Sequence, residues 1–263
     1  MCQMCAAPCP YHEGVPKLVV RVLVVVVVFA VGLGVGWVAG GYQHTHLGPK
    51  DRVYPAPVGT DVGVGIEVVW RAQVDPSDRV VALTFDDGPE VTGTGQVLSV
   101  LAAHEATATF FMLGEAAQAH PQVVRDVLDA GGEVGLHGWS HTNFTLDSAA
   151  TINTNLDRGA AALRAAGADP QVFRPPYGRI DSLGLGAAAA RGYALVLWSD
   201  RLDGRTNVPL MAARLRPGAV VLCHDGRGTV TPEVLQRLDE LLTALDAAGY
   251  QYVTVSQLLA AGS

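Results

Sequence analysis

From Ile66 to Ser263, short β-branched runs alternate with Ala- and Leu-rich stretches, and that alternation leaves few folds open. Strands are read at VVALTF (80–85), ATATFFM (106–112), EVGLH (133–137), YALVLW (193–198), AVVLCH (219–224) and YQYVTV (250–255). Helices are read at PQVVRDVLDAG (121–131), AATINTNLDRGAAALRAAG (149–167) and PEVLQRLDELLTALDAAG (232–249). In the last, Pro232 suits a first helical turn and Gly249 a C-terminal cap. Strand–helix alternation on this scale predicts parallel β/α units. Their closed form is an α/β barrel with its active site at the C-terminal ends of the strands.

The chain before this region is of a different kind. Residues 22–39, VLVVVVVFAVGLGVGWVA, carry no charge over 18 residues, the lower limit for a helix crossing a bilayer. Lys17 and Arg21 precede the run, so the positive-inside rule places the N-terminus in the cytoplasm and the rest outside. The predicted organisation is a Cys-containing tail (1–17), a transmembrane signal-anchor (18–39), a Gly/Pro-rich linker (40–65) and the β/α domain (66–263). The expected location is the cell membrane, single-pass, with the domain extracytoplasmic. Cleavage near Val38-Ala39-Gly40 would instead give a secreted form. Cys2, Cys5, Cys9 and His12 have zinc-compatible spacing, but a short tail offers no core to hold such a site. Cys223 is the only cysteine beyond the tail, so the domain forms no intrachain disulfide.

Beyond residue 50 there are 15 Arg and no Lys against 24 acids, or about −9, with no basic run. Nucleic acid is therefore excluded as a partner. Oligomeric state is left open by the sequence.

Titratable residues stand where the apolar runs end. Asp86 and Asp87 follow VALTF; His137 follows EVGL, with His141 four residues on. Asp200 and Asp203 follow Trp198, and His224 closes AVVLC; FRPPYG (173–178) adds an Arg before two prolines. Singly, each has a plain reading: Asp-Asp-Gly-Pro is turn chemistry, H-x3-H two surface histidines, and Arg174 one half of an ion pair. In a barrel these ends converge on one cleft. Two imidazoles and a carboxylate are the donor set of catalytic zinc sites with an open position.

TFDDGP, HGWSH, RPPYG, DRLD and LCH also fall in the order and approximate spacing of five motifs, and on them residues 78–260 resemble the polysaccharide deacetylases, the NodB-like carbohydrate esterases. The resemblance implies a distorted (β/α) barrel that removes acetyl groups from sugars with a divalent metal. Zinc is the expected ion; cobalt, nickel and manganese are alternatives. Matched position by position, Asp87, His137 and His141 are implied as metal ligands and Asp86 as the general base. Arg174 pairs with that base, and His224 is the general acid, oriented by Asp203. The Tyr177 backbone N–H donates to the oxyanion, and Leu222, Pro176 and Trp198 line the substrate pocket. Ser140 occupies the family's Ser/Thr position between the histidines, and Trp139 is a candidate sugar platform.

There are departures as well. Gly204 stands where the family often has Trp, and one residue is missing between Trp198 and Asp200, so Asp200 could share the role of Asp203. The expected substrate is an acetylated glycan containing N-acetylglucosamine, with peptidoglycan first because an outward-facing anchored enzyme meets the wall. Alternatives are chitooligosaccharide, acetylated xylan, a small amide hydrolysed on the same fold, or a non-catalytic wall-binding module.

Overall fold

A computed structural model describes residues 60–61 and 66–262. The expected cysteine tail and transmembrane segment, and all of the linker but residues 60–61, lie outside the described residues. Among the described residues, no helix is long and apolar enough to cross a membrane.

One sheet organises the domain. Its strands are β1 (Thr60–Asp61), β2 (Glu67–Val69), β3 (Val80–Asp86), β4 (Thr109–Met112), β5 (Glu133–Leu136), β6 (Val172–Phe173), β7 (Ala194–Val196), β8 (Asp200–Arg201), β9 (Ala219–His224) and β10 (Gln251–Tyr252). They lie in the order β1-β2-β7-β6-β5-β4-β3-β9-β8, with β10 beside the start of β3. Every pair is parallel except β1 with β2. Helices cover the strands, so β3, β4 and β9 read as nearly continuous buried runs, as parallel strands do.

The sheet curls until its ends meet. Residues 194–202 begin beside β6 and β2, where Leu197 N donates to Val69 O, and finish beside β9, where Ser199 N donates to Val220 O and Leu202 N to Leu222 O. This crossing draws the two ends of the curled parallel sheet together into a half-barrel, consistent with the distorted barrel expected from the sequence. It also interrupts the regular ladder at Val196 and Leu197, leaving carbonyls that need other donors.

Several expectations need adjustment. The strand expected at 250–255 stops at Tyr252, because Thr254 caps the helix Val255–Ala261 in a reciprocal capping box with Gln257. The strand expected from Ala106 starts at Thr109. The helices expected at 121–131, 149–167 and 232–249 are Pro121–Asp129, Ala149–Ala165 and Pro232–Ala247. Pro232 occupies the first turn of the last one, and Gly249 follows it with φ +72°, as expected.

Candidate active site

Register delivers the site. Asp86 at the end of β3 pairs with Phe111 of β4 on one side and His224 of β9 on the other. Leu136 of β5 pairs with Phe173 of β6, which puts His137 and Arg174, the next residues, on the same rim. The titratable residues scattered over the sequence are thus C-terminal strand ends brought side by side.

Asp86 and Asp87 then part company. Asp86 keeps the extended strand, whereas Asp87 has φ +76°, a left-handed conformation that sends its carboxylate elsewhere. Asp87 Oδ1 lies 3.4 Å from His137 Nε2 and 3.2 Å from His141 Nε2. His137 Nδ1 sits 2.7 Å from Arg174 O, an acceptor only, so Nδ1 carries a proton and Nε2 is the nitrogen turned toward the carboxylate. Burial brings the His141 pKa down to about 4, which keeps that ring neutral. Burial works against ionised Asp87, yet the neighbouring His137, His141 and His224 carry its carboxyl below the usual range.

A buried, ionised oxygen therefore faces imidazole nitrogens, and Asp87 Oδ1 has no hydrogen-bond partner. Ligand atoms of Asp87, His137 and His141 all lie within 4.8 Å of one another. A cation between them satisfies all three at once, so the donor set fits a divalent metal.

Asp86 is held from the opposite side. Arg174, fully buried, donates from Nη1 to Asp86 Oδ1 at 2.6 Å and to Thr84 Oγ1 at 2.8 Å. Its Nε and Nη2 donate to Val196 O at 3.1 Å and Leu197 O at 2.8 Å, the carbonyls freed where the barrel closes. The guanidinium carbon lies 4.1 Å from the Phe111 ring centroid. Desolvation lowers the Arg174 pKa and Asp86 opposes it, which leaves a compensated buried charge pair. Asp86 Oδ2 remains directed toward the donor cluster, 3.9 Å from His137 Nε2.

The other expected residues fall as follows. His224 is mostly buried, which lowers its pKa. Tyr177 has φ +62° in the turn Pro176–Gly178, and its half-exposed ring meets His141 edge-on, with centroids 4.2 Å apart. Pro176 is buried in that turn, and Leu222 is buried in β9. The Trp198 ring packs on Gly178, where an added Cβ would lie 2.7 Å from it. Trp139 is covered on one face by Arg158, 3.5 Å from the ring centroid.

Asp203 differs from expectation. Its carboxylate accepts from Arg205 N at 2.9 Å and lies 3.7 Å from Arg201 Nε, capping its own turn, and among the described residues no bond joins it to His224. Asp200 bonds Ser199 Oγ at 3.0 Å and approaches Arg214 at 3.7 Å instead. A side chain at Gly204 would start toward the helix Pro232–Ala247, 3.6 Å from Val234 and 3.7 Å from Glu233.

Sequence reasoning missed two supports. Thr84 is fully buried and links Arg174 to Val221 O through its hydroxyl, but in VVALTF it reads as one more β-branched core residue. Asp225 is also fully buried, where it accepts from Thr94 Oγ1 at 2.5 Å, and burial raises its pKa to about 7. The signal for it was a second acid directly after His224.

A curled parallel sheet carrying an Asp-His-His cluster and an Arg-held carboxylate at its strand ends defines a metal-type hydrolase of the α/β class. The family model for polysaccharide deacetylase matches residues 73–196. A peptidoglycan-N-acetylglucosamine deacetylase of Bacillus cereus is 35% identical over 200 residues, covering 73% of this chain and 92% of that protein. The peptidoglycan-N-acetylmuramic acid deacetylase PdaC of Bacillus subtilis is 36% identical over 191 residues, covering 70% of this chain but only 40% of PdaC. The crystal structure of the Bc1960 peptidoglycan N-acetylglucosamine deacetylase superposes with a TM-score of 0.69 at 28% identity, covering 73% of this chain and 92% of that one. The chain belongs to the polysaccharide deacetylase family.

Proposed function

We propose that this protein is a metal-dependent deacetylase that hydrolyses the N-acetyl group of N-acetylglucosamine in peptidoglycan, releasing acetate and leaving the free amine. One observation carries the reading: an unpartnered buried carboxylate oxygen between two imidazoles, beside a second carboxylate held by a buried arginine. The relatives named above act on peptidoglycan, which supports the substrate.

Asp87, His137 and His141 would hold the ion, and one carboxylate with two imidazoles suits zinc. When bound, such an ion supplies Lewis acidity to the acetyl carbonyl and to water. Asp86 accepts the proton of the attacking water at Oδ2, since Oδ1 is bonded to Arg174. The water oxygen bonds to the acetyl carbon, and the Tyr177 backbone N–H faces the oxyanion that forms. His224, beside Asp86 in register, passes the proton that Asp86 took from the water on to the amine as the C–N bond breaks, so both side chains return to their starting states. Leu222, Pro176 and Trp198 enclose the acetyl methyl group. Asp203 is left out of this scheme, because it is committed to its own turn. The uncharged run at 22–39, with Lys17 and Arg21 before it, supports a location outside the membrane, next to the wall.

The test is acetate release by the full chain from peptidoglycan, chitooligosaccharide and acetylated xylan, with chelator and with zinc restored. Release from peptidoglycan that chelator abolishes and zinc restores is the expected result. Turnover of small amides without glycan activity would overturn the substrate, and release insensitive to chelator would overturn the metal.

A further inference from the structure

Asp87 and His141 open onto a cavity of about 570 Å³ whose walls include Glu90, Glu115, His120 and Arg227. That volume suits a sugar ring beside the one under attack. Arg227 is the cation of this cavity. It is exposed, and among the described residues it has no hydrogen-bond or ion-pair partner, although its charge reaches His141.

The loop holds Arg227 in place. Its φ is +57°, a left-handed conformation unusual for any residue but glycine. On one side Gly226 packs so closely on Asp87 that a Cβ would fall 2.1 Å from Asp87 O. On the other, Gly228 N donates to Glu90 Oε2 at 2.9 Å. Thr229 closes the turn, with Oγ1 and N bonded to Gly226 O at 2.7 and 3.2 Å. A strained backbone, pinned on both sides, thus presents an unpaired guanidinium to the cavity. Planar guanidinium donors match a carboxylate. Glu90 is occupied in anchoring the loop, while Glu115 and His120 are free to meet hydroxyls.

We infer that Arg227 binds a carboxylate on the sugar next to the one being deacetylated, an assignment that rests on the proposed action on peptidoglycan. There a neighbouring N-acetylmuramic acid that has lost its stem peptide carries a free lactyl ether carboxylate, whereas the neighbouring sugar in chitin is neutral. Arg227 then selects peptide-free stretches of the alternating wall glycan over the homopolymer.

The experiment compares kcat/KM for acetate release from three tetrasaccharides: the peptide-free alternating glycan, its lactyl methyl ester, and chitotetraose. The zinc-loaded full chain and Arg227→Gly are assayed, glycine being the residue the backbone at 227 favours. The parent should prefer the free acid over its ester by about tenfold, as a charge-assisted pair does, and added salt should shrink that preference. Arg227→Gly should bring the ratio close to one. Equal rates on acid and ester in the parent overturn the inference, as does a preference that survives Arg227→Gly. Turnover of chitotetraose alone, or of none of the three, overturns the peptidoglycan reading and the inference with it.

Discussion

Replacing Arg174 by Lys keeps the charge and removes the fork, and it tests whether this guanidinium supports the fold as well as the base. Arg174 makes four hydrogen bonds, to Asp86 Oδ1, Thr84 Oγ1, Val196 O and Leu197 O, and lies over Phe111. A lysine ammonium gathers its donors at one point. It can keep Asp86 and Thr84, which share one guanidinium nitrogen, but not also the two carbonyls served by Nε and Nη2. Those carbonyls sit where the barrel closes, and each buried acceptor left unpaired costs about 1–3 kcal/mol. Loss of the ring contact adds about 1 kcal/mol. The sum, about 3–7 kcal/mol, is a large share of the roughly 5–15 kcal/mol that stabilises a domain. Urea unfolding followed with chelator present, so that metal binding contributes nothing, should show a midpoint lower by about 1–2 M. A midpoint within about 0.3 M of the parent would mean that these bonds are replaceable, and the buried guanidinium would then be no keystone of the closure.

Asp86→Asn should keep full metal stoichiometry by atomic absorption while turnover drops at least about 100-fold, and His137→Ala should lose the metal itself. Gly226→Ala drives a Cβ to 2.1 Å from Asp87 O, so the DDG turn must shift, with about 1–3 kcal/mol lost in thermal unfolding and weaker zinc retention. His104 bonds Asp246 at 2.6 Å and Asp239 at 3.1 Å across two helices, and those bonds, the Asp246 one first, raise its pKa above 6.5. A raised histidine pKa stabilises fully below the unfolded value and loses its effect as pH rises through the folded one. His104→Gln should therefore cost about 1 kcal/mol at pH 6 and almost nothing at pH 9 by urea titration; an equal cost at both would refute the clamp.

The long strands were legible because β3 and β9 are buried along their lengths and so must be apolar along their lengths. β2, β6 and β8 span two or three residues, too few to carry a period, and they exist through their neighbours. The helix Val91–Ala103 was hidden by its composition, VTGTGQVLSVLAA, in which Gly and Thr are poor helix formers and tertiary packing decides. In the site, side chains displayed on strand ends could be read from spacing. Thr84, Asp225 and Arg227 could not, because their roles depend on which elements meet. The surroundings of Asp203 were hidden for the same reason: adjacency to the site in sequence did not say that its carboxylate would accept from Arg205 N and its own N–H donate to Thr206 Oγ1.

Two aspartates side by side on a regular strand would point to opposite faces, one of them into the barrel wall. The left-handed turn at Asp87 removes that conflict by rotating the second carboxylate onto the rim, where His137 and His141 wait. A non-glycine residue adopts such a conformation at a cost of roughly 1–2 kcal/mol, so surrounding contacts must hold it. They do: Leu113 N donates to Gly88 O at 2.8 Å, Gly226 packs on the Asp87 carbonyl, and the Asp225 carboxylate fills the space that a side chain at Gly88 would need. The glycines at 88 and 226 are thus required by close approach rather than by flexibility, and Asp225 is buried because it forms the floor of that turn. The two carboxylates end in unlike surroundings, one against a guanidinium and one between imidazoles. Their chemical difference is made by the backbone at one residue, since the side chains are the same.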